Sequence, residues 1–261
     1  ANVSQPVWIE FEIPKNAVPG DYSGQVQLIH HDEVIKEIPF KVHVWDFELP
    51  EESHMIALYD ARLNDKNFVD FDKSESEIKK EIWRVLADHR LGTNAIVPPP
   101  TWKKENGKII FDFTEFDKAG SYYFDTLKFP SVYSPRDFRL FGWANLPGEK
   151  FGEKPYPGEY PYPDADRSKL RPEFKKAYQS ALRSYWNHMK EKGWSDKVIF
   201  YISDEPHTDP EITAQMRALC DMIHEVDPKI PIYVSTWWYR PEYEGYVDIW
   251  GVSNHGGGWG R

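Results

Sequence analysis

The first fifty residues alternate apolar and polar positions in three short stretches. Residues 7–13 read VWIEFEI, and related alternation recurs near 22–30 and 34–45, with Pro19 and Gly20 marking the turn after the first stretch. A period of two residues is typical of strands that bury one face. Three such strands in succession predict an antiparallel sheet. We therefore predict that residues 1–50 form the C-terminal part of a β-sandwich domain, cut off at an unpaired edge.

From residue 51 the pattern changes to apolar strands separated by amphipathic helices. A capping box at Ser74–Glu77 predicts one helix, with Gly92 as its C-terminal cap, and a less regular helical or loop segment follows around 114–122. Pro172 begins a helix that stops at Gly193, and Asp209 with Pro210 caps another. Buried strands are predicted at 54–61, 94–97, 125–132, 198–203, 230–236 and 246–253.

This order of strands and helices predicts an α/β fold of the TIM-type (β/α) barrel class over residues 51–261. A complete barrel has eight strands over about 250 residues. Only six strands are visible in this sequence. We therefore expect the barrel to lack its last two strands.

Residues 133–168 interrupt this alternation with closely spaced Tyr, Pro and Gly, as in GEKPYPGEYPYPDAD. A disordered linker is rarely so aromatic. We therefore expect a long ordered loop over a cleft.

The composition argues against several classes of function. The net charge of −10 argues against a nucleic-acid or anionic-membrane partner, and no apolar run is long enough to span a bilayer. The single cysteine, Cys220, excludes an internal disulfide framework and a zinc site of cysteines, so no metal or other cofactor is expected. The chain has 11 Trp, which either fill the core or line a sugar-binding cleft.

The candidate chemistry lies where the predicted strands end, because barrel active sites occupy the C-terminal ends of the strands. Asp204 and Glu205 directly follow VIFYIS and are the candidate catalytic pair. An acid pair at a strand end often only caps a turn or meets an arginine, but tryptophans flank this pair. The candidate substrate-binding residues are Trp237, Trp238, Trp250, Asn254, His207 and Asp60.

Two conditions apply to this pair. A general acid for a sugar leaving group needs a pKa raised toward neutrality, which an adjacent carboxylate in a partly apolar pocket favours. Adjacent strand residues normally point to opposite faces. Both acids can therefore reach one ligand only if the backbone turns between Asp204 and Glu205, and Pro206 is consistent with a strand that ends there.

Three segments, QPVWIEFEIPKNAVPGDYSGQVQL, YISDEPH and YVDIWGVS, resemble glycoside hydrolase family 123 and its relatives, the β-N-acetylgalactosaminidases. The resemblance implies a β-sandwich joined to a TIM-type barrel, a secreted or periplasmic bacterial enzyme, and a glycan substrate. It implies Glu205 as general acid/base and Asp204 as the residue that orients the substrate's 2-acetamido group. It further implies that this group's carbonyl oxygen is the nucleophile, in a substrate-assisted and retaining reaction. Residues 100–170 do not contribute to the resemblance.

Three alternatives remain open. The chain could be a glycosidase that acts on another sugar with a conventional carboxylate nucleophile, a non-catalytic carbohydrate-binding relative, or an interaction scaffold. No HExxH, GxSxG or phosphate-loop pattern is present, so metalloprotease, serine-hydrolase and nucleotide-binding functions have no support in the sequence.

Overall fold

A computed structural model describes residues 4, 6–50, 52–53, 55–60 and 72–253. The chain divides into two compact units, Ala1–Glu51 and Glu52–Arg261. Among the described residues, no helix is long and apolar enough to cross a membrane.

Within its described residues, the first unit contains an antiparallel hairpin formed by β1 (Gly20–His30) and β2 (Glu33–Val44). His31 and Asp32 connect the strands with φ angles of 46° and 65°, the left-handed conformation that tight two-residue hairpin turns require. The predicted strand at 7–13 is wrong, because among the described residues this stretch does not form a strand. Phe11 instead packs its ring 4.5 Å from that of Phe40. The assignment of this unit to a β-sandwich stays a prediction.

The second unit contains four α-helices among its described residues: α1 (Glu75–Asp88), α2 (Thr114–Ser121), α3 (Pro172–Glu191) and α4 (Pro210–His224). The three predicted helices α1, α3 and α4 are confirmed, and so is the Ser74–Glu77 capping box. The segment around 114–122, for which the sequence left helix and loop open, forms α2. Asp209 occupies the N-cap of α4, but its side chain makes no capping hydrogen bond. A π-helical turn, Tyr122–Thr126, continues α2.

A hairpin that we did not predict lies between α1 and α2. It consists of β3 (Thr101–Glu105) and β4 (Lys108–Asp112), joined by Asn106 and Gly107 with φ angles of 51° and 75°. An Asn-Gly pair between alternating residues is a strong hairpin signal. The sequence therefore contained the information needed to predict it.

The remaining strands of the second unit form a curled parallel sheet. They are β5 (Val132–Tyr133), β6 (Phe141–Gly142), β7 (Val198–Asp204), β8 (Ile232–Thr236) and β9 (Ile249–Val252). The pairing order is β5-β7-β8-β9, and β6 pairs with the later part of β7. Parallel bridges Leu58–Gly92 and Thr93–Val132 extend the same order backwards along the chain.

The fold is therefore a mixed α/β arrangement with a parallel half-barrel sheet and antiparallel hairpins. Parallel segments follow one another in chain order, as we predicted, but the described residues do not establish a TIM barrel. The third strand lies at 132–133 rather than 125–132, because the π-helical turn occupies 122–126.

Gly92 has a different role from the expected helix cap. The left-handed residue after α1 is Arg90, with a φ of 60°. Gly92 instead forms the bridge to Leu58, and a Cβ on Gly92 would lie 2.0 Å from the Ser131 carbonyl oxygen. The close approach of neighbouring backbone therefore requires glycine at this position.

The core lies where the helices cover the outer face of the sheet. Phe200 on β7 packs its ring against those of Phe138, Tyr185 and Trp186, at centroid distances of 5.7, 6.0 and 5.9 Å. The 133–168 segment is ordered, and several of its aromatic side chains are buried, including Phe151, Tyr156 and Tyr162. Cys220 on α4 is also buried.

Candidate active site at the end of the central strand

A β-bulge near the end of β7 determines the face of the sheet on which the Asp204 side chain lies. Tyr201 pairs with Tyr233, but Ser203 pairs with Val234 and Asp204 with Ser235, so one extra residue is inserted on β7. A bulge of this kind breaks the normal alternation of side chains. Tyr201 and Asp204 consequently meet on one face, three positions apart, and the Tyr201 hydroxyl donates to Asp204 Oδ1 at 2.7 Å.

Asp204 is held by three donors. Besides Tyr201, the Ser235 hydroxyl donates to Oδ1 at 2.8 Å, and Arg139 Nη2 lies 3.1 Å from Oδ2. Burial by itself raises the pKa of Asp204, but the hydrogen bonds from Tyr201 and Ser235 and the charge of Arg139 outweigh burial. The net effect is a lowered pKa, so Asp204 is ionised at neutral pH.

Glu205 marks an abrupt turn of the chain. Its φ is +44°, a left-handed conformation that is uncommon for a residue other than glycine. The Glu205 N–H donates to the Ser235 carbonyl oxygen at 2.9 Å, which holds the turn against β8. This is the backbone turn between the two acids that the sequence argument required.

Trp143, directly after β6, contacts Glu205 from the other side. Its indole Nε1 donates to Glu205 Oε2 at 3.2 Å. Its backbone N–H donates to the Asp204 carbonyl oxygen at 2.7 Å, and its own carbonyl oxygen accepts from the His207 N–H at 3.2 Å. The backbone of Trp143 also adopts the left-handed conformation, with a φ of 55°. Non-glycine residues in this conformation concentrate at functional sites.

Glu205 lines a depression of about 330 Å³ whose walls include aromatic side chains. Trp237 and Trp238 line it and are each 49% exposed, and the Arg240 guanidinium lies 4.3 Å from the ring centre of Trp238. The full lining comprises Trp143, Glu205, Pro206, His207, Thr236, Trp237, Trp238 and Arg240. Among these described lining residues, only Glu205 carries a carboxylate.

The structure thus brings Glu205, His207, Trp237 and Trp238 into one depression, with Asp204 adjoining it through the backbone. It does not bring Trp250 there. Trp250 pairs with Val234 and packs against the buried core. Its neighbour Gly251 is on the inner face, where an added Cβ would lie 2.0 Å from the Tyr233 hydroxyl oxygen.

Asp60 and Asn254 complete the predicted set. Burial is the main cause of the raised pKa values of Tyr133 and Tyr233, and the charge of Asp60 adds to both. Asp60 therefore influences tyrosines on the inner face of the sheet. Asn254 lies outside the described residues.

Sequence reasoning missed four contributors: Arg139, Trp143, Tyr201 and Ser235. Tyr201 and Ser235 were detectable as hydroxyl-bearing residues near the ends of otherwise apolar strands. Arg139 and Trp143 belong to the 133–168 segment, where no motif distinguishes them. Among the described residues, no group of three or more His, Cys, Asp or Glu side chains is placed to hold a metal ion.

The model of the glycoside hydrolase 123 catalytic domain matches residues 97–250, more than half of the chain. The chain belongs to this family. The matched range includes Trp143, Asp204, Glu205 and the Trp237–Trp238 pair, and it excludes Asp60 and Asn254.

A solved structure of a family 123 glycoside hydrolase from Clostridium perfringens, studied for glycolipid glycan hydrolysis, has a similar fold. The TM-score is 0.52 at 17% sequence identity, over 90% of this chain and 45% of that chain. The present chain therefore spans less than half the length of that relative, and at this identity the likeness shows the fold alone. No curated protein sequence matches the chain.

Proposed function

We propose that this family 123 chain hydrolyses glycosides of β-linked N-acetylgalactosamine with retention of configuration. Glu205 is the general acid/base, and Asp204 orients the substrate's 2-acetamido group. The observation that carries the proposal is the pair's unequal surroundings. Glu205 opens into an aromatic-walled depression, whereas Asp204 is held ionised by three donors.

In the first step, the carbonyl oxygen of the 2-acetamido group attacks the anomeric carbon. The bond from that carbon to the leaving oxygen breaks, and Glu205 gives its proton to the leaving oxygen. The ionised Asp204 accepts a hydrogen bond from the acetamido N–H, which favours the positive charge that develops on the resulting oxazolinium ring. Water then attacks the anomeric carbon, Glu205 takes its proton, and the acetamido group is restored.

The tryptophan walls support a sugar substrate. Flat rings half exposed to solvent offer C–H stacking surfaces to a pyranose, and Trp237 and Trp238 both border the acid. A single carboxylate among the described lining residues favours the substrate's own nucleophile over a conventional carboxylate pair.

The test is hydrolysis of an aryl 2-acetamido-2-deoxy-β-galactoside by the wild-type chain and by Glu205→Gln. Removing the proton donor should lower kcat about a thousandfold on the corresponding alkyl glycoside, whose poor leaving group needs protonation, and by a smaller factor on the aryl glycoside. Glu211→Gln, on an exposed glutamate in the first turn of α4, is the matched control and should retain activity. Full activity of Glu205→Gln would exclude Glu205 as the acid.

The mechanism has a separate test. The corresponding aryl β-galactoside, with a hydroxyl in place of the 2-acetamido group, should not be hydrolysed above background. A retained rate on this substrate would replace the substrate-assisted mechanism with a conventional nucleophile. Tight sugar binding without turnover of either substrate would indicate a non-catalytic carbohydrate-binding protein.

A further inference from the structure

The environment of Asp204 distinguishes its two oxygens. Oδ1 accepts from both Tyr201 and Ser235, at 2.7 and 2.8 Å. A carboxylate has about four acceptor positions, two on each oxygen. Oδ1 is therefore filled by the protein.

Oδ2 has a different set of neighbours. Among the described residues it contacts Arg139 Nη2 at 3.1 Å, and the Asp204 side chain is 26% exposed. One acceptor position on Oδ2 therefore remains open. Oδ2 is the atom that can receive an N–H from a ligand.

Arg139 is fixed at this place by the same bulge that turns Asp204. Leu140, the next residue, donates its N–H to the carbonyl oxygen of Ile202, the residue at which the register shifts, at 2.8 Å. The Arg139 guanidinium also lies 5.0 Å from the ring centre of Tyr201, a distance typical of a cation–π contact. Main chain and side chain both tie Arg139 to the strand that carries Asp204.

We propose that Arg139 is a positioning residue, which together with the hydroxyls of Tyr201 and Ser235 presents Asp204 Oδ2 to the substrate's acetamido N–H. This inference rests on the proposed function and adds to it. Arg139 touches no reacting atom. It acts by fixing the carboxylate's orientation and by keeping the carboxylate ionised.

The experiment uses Arg139→Met with Arg136→Met as its matched control. Arg136 begins the 3₁₀ turn that precedes Arg139 and is exposed, so the control removes a charge from the same turn without a contact to Asp204. Arg139→Met should lower kcat/KM on the 2-acetamido substrate about tenfold to a hundredfold near neutral pH. Arg136→Met should stay within about twofold of wild type.

The decisive readout is the pH profile of kcat/KM, which reports groups of the free enzyme. Loss of the cation raises the pKa of Asp204, so the acid limb of the profile should move to higher pH in Arg139→Met. Arg139→Lys should move the limb back toward the wild-type position. A merely structural role would lower the rate by the same factor at every pH and leave the limb in place, and that result would overturn the inference.

Tyr201→Phe provides an independent test of the inference if Arg139→Met does not fold. It keeps the ring under Arg139 and removes one donor to Oδ1, so the acid limb should again move to higher pH. An unmoved limb in this variant would also overturn the inference. Glu205→Gln, measured in the same assay, distinguishes this inference from the proposed function. If Glu205→Gln is inactive while the acid limbs of Arg139→Met and Tyr201→Phe stay in place, the proposed function stands and only the role of Arg139 is refuted.

Discussion

Asp204 and Glu205 are neighbours in the chain, but their surroundings differ in almost every respect. Asp204 ends a strand, faces the inner side of the sheet and has three side-chain donors. Glu205 lies in a left-handed turn, and its carboxylate accepts a hydrogen bond from the Trp143 indole. The bulge and the turn produce this difference within a few residues. Two carboxylates therefore acquire different chemistry from backbone geometry rather than from their position in the sequence.

The largest expected effect on stability is at Asp204. Asp204→Asn places an amide N–H₂ against the Arg139 guanidinium or against the two hydroxyls, so donors face donors. Hydrogen bonds to charged groups contribute about 1.5–3 kcal/mol, and we expect the free energy of unfolding to fall by about 2 kcal/mol. Urea denaturation of Asp204→Asn and Glu205→Gln checks this comparison. Glu205→Gln should lose less than about 0.5 kcal/mol, and equal losses in the two variants would remove the contrast.

The second prediction concerns the hydrogen bond from the Trp143 indole to Glu205. In Trp143→Phe the ring is kept and the N–H to Glu205 Oε2 is lost, so the carboxylate is less well oriented toward the leaving oxygen. We expect kcat to fall about tenfold, which corresponds to about 1.4 kcal/mol. The loss should be larger for an alkyl glycoside than for an activated aryl glycoside, because the activated leaving group needs little protonation.

Trp102→Phe is the control for this measurement. Trp102 lies on β3, packs its ring against Phe151 and does not line the depression. Its variant should keep kcat for both leaving groups. Equal losses for both substrates in Trp143→Phe would mean that the indole shapes the depression without positioning the acid.

A smaller, pH-dependent effect concerns Asp204 alone. Its folded pKa is lowered, so its ionised form stabilises the fold above the unfolded pKa, near 3.9 for Asp. This contribution is lost as the pH falls through the lower folded pKa. The stability difference between wild type and Asp204→Asn should be constant from pH 5 to 8 and shrink below about pH 4. A difference that stays the same in urea titrations at pH 3 would contradict this prediction.

The smallest effect is expected from relieving the left-handed turn. Glu205→Gly removes the side chain from a residue with a φ of +44°, and we expect a gain in the free energy of unfolding of about 0.5 kcal/mol together with loss of activity. Arg90→Gly relieves the same conformation after α1 and should give a similar gain with activity kept. If Glu205→Gly is less stable than wild type, Glu205 also has a structural role in the turn.

The helices were the most predictable part of the fold. A capping box, two initiating prolines and regular apolar spacing identified α1, α3 and α4 because these signals are local. The strand at 7–13 failed because alternation indicates a buried face but not a pairing partner. The third parallel strand begins later than predicted because Asp125 and Thr126 belong to the π-helical turn Tyr122–Thr126, and pairing with β7 begins at Val132.

The site was predictable only where chemistry coincides with a strand end. Asp204 and Glu205 stand out because an apolar strand stops at two acids. Trp250 does not line the depression, because it pairs with Val234 and packs against the buried core, and its role at the site stays a prediction. Arg139 and Trp143 reach the acids through the β6–β7 pairing, a contact between segments far apart in the chain. No periodicity in the sequence indicates that contact.

The chain-order pairing of the parallel sheet bears on how the second unit folds. Apart from β6, which pairs with β7 and not with β5, the parallel segments bond in chain order, from the Leu58–Gly92 bridge through to the β8–β9 ladder. Closing a loop between successive segments costs less conformational entropy than joining distant ones. We expect assembly by the addition of successive strand–helix units, with β7 as the point where early and late segments meet. The two acids at the end of β7 therefore gain their final geometry only when β6 and β8 have both been added.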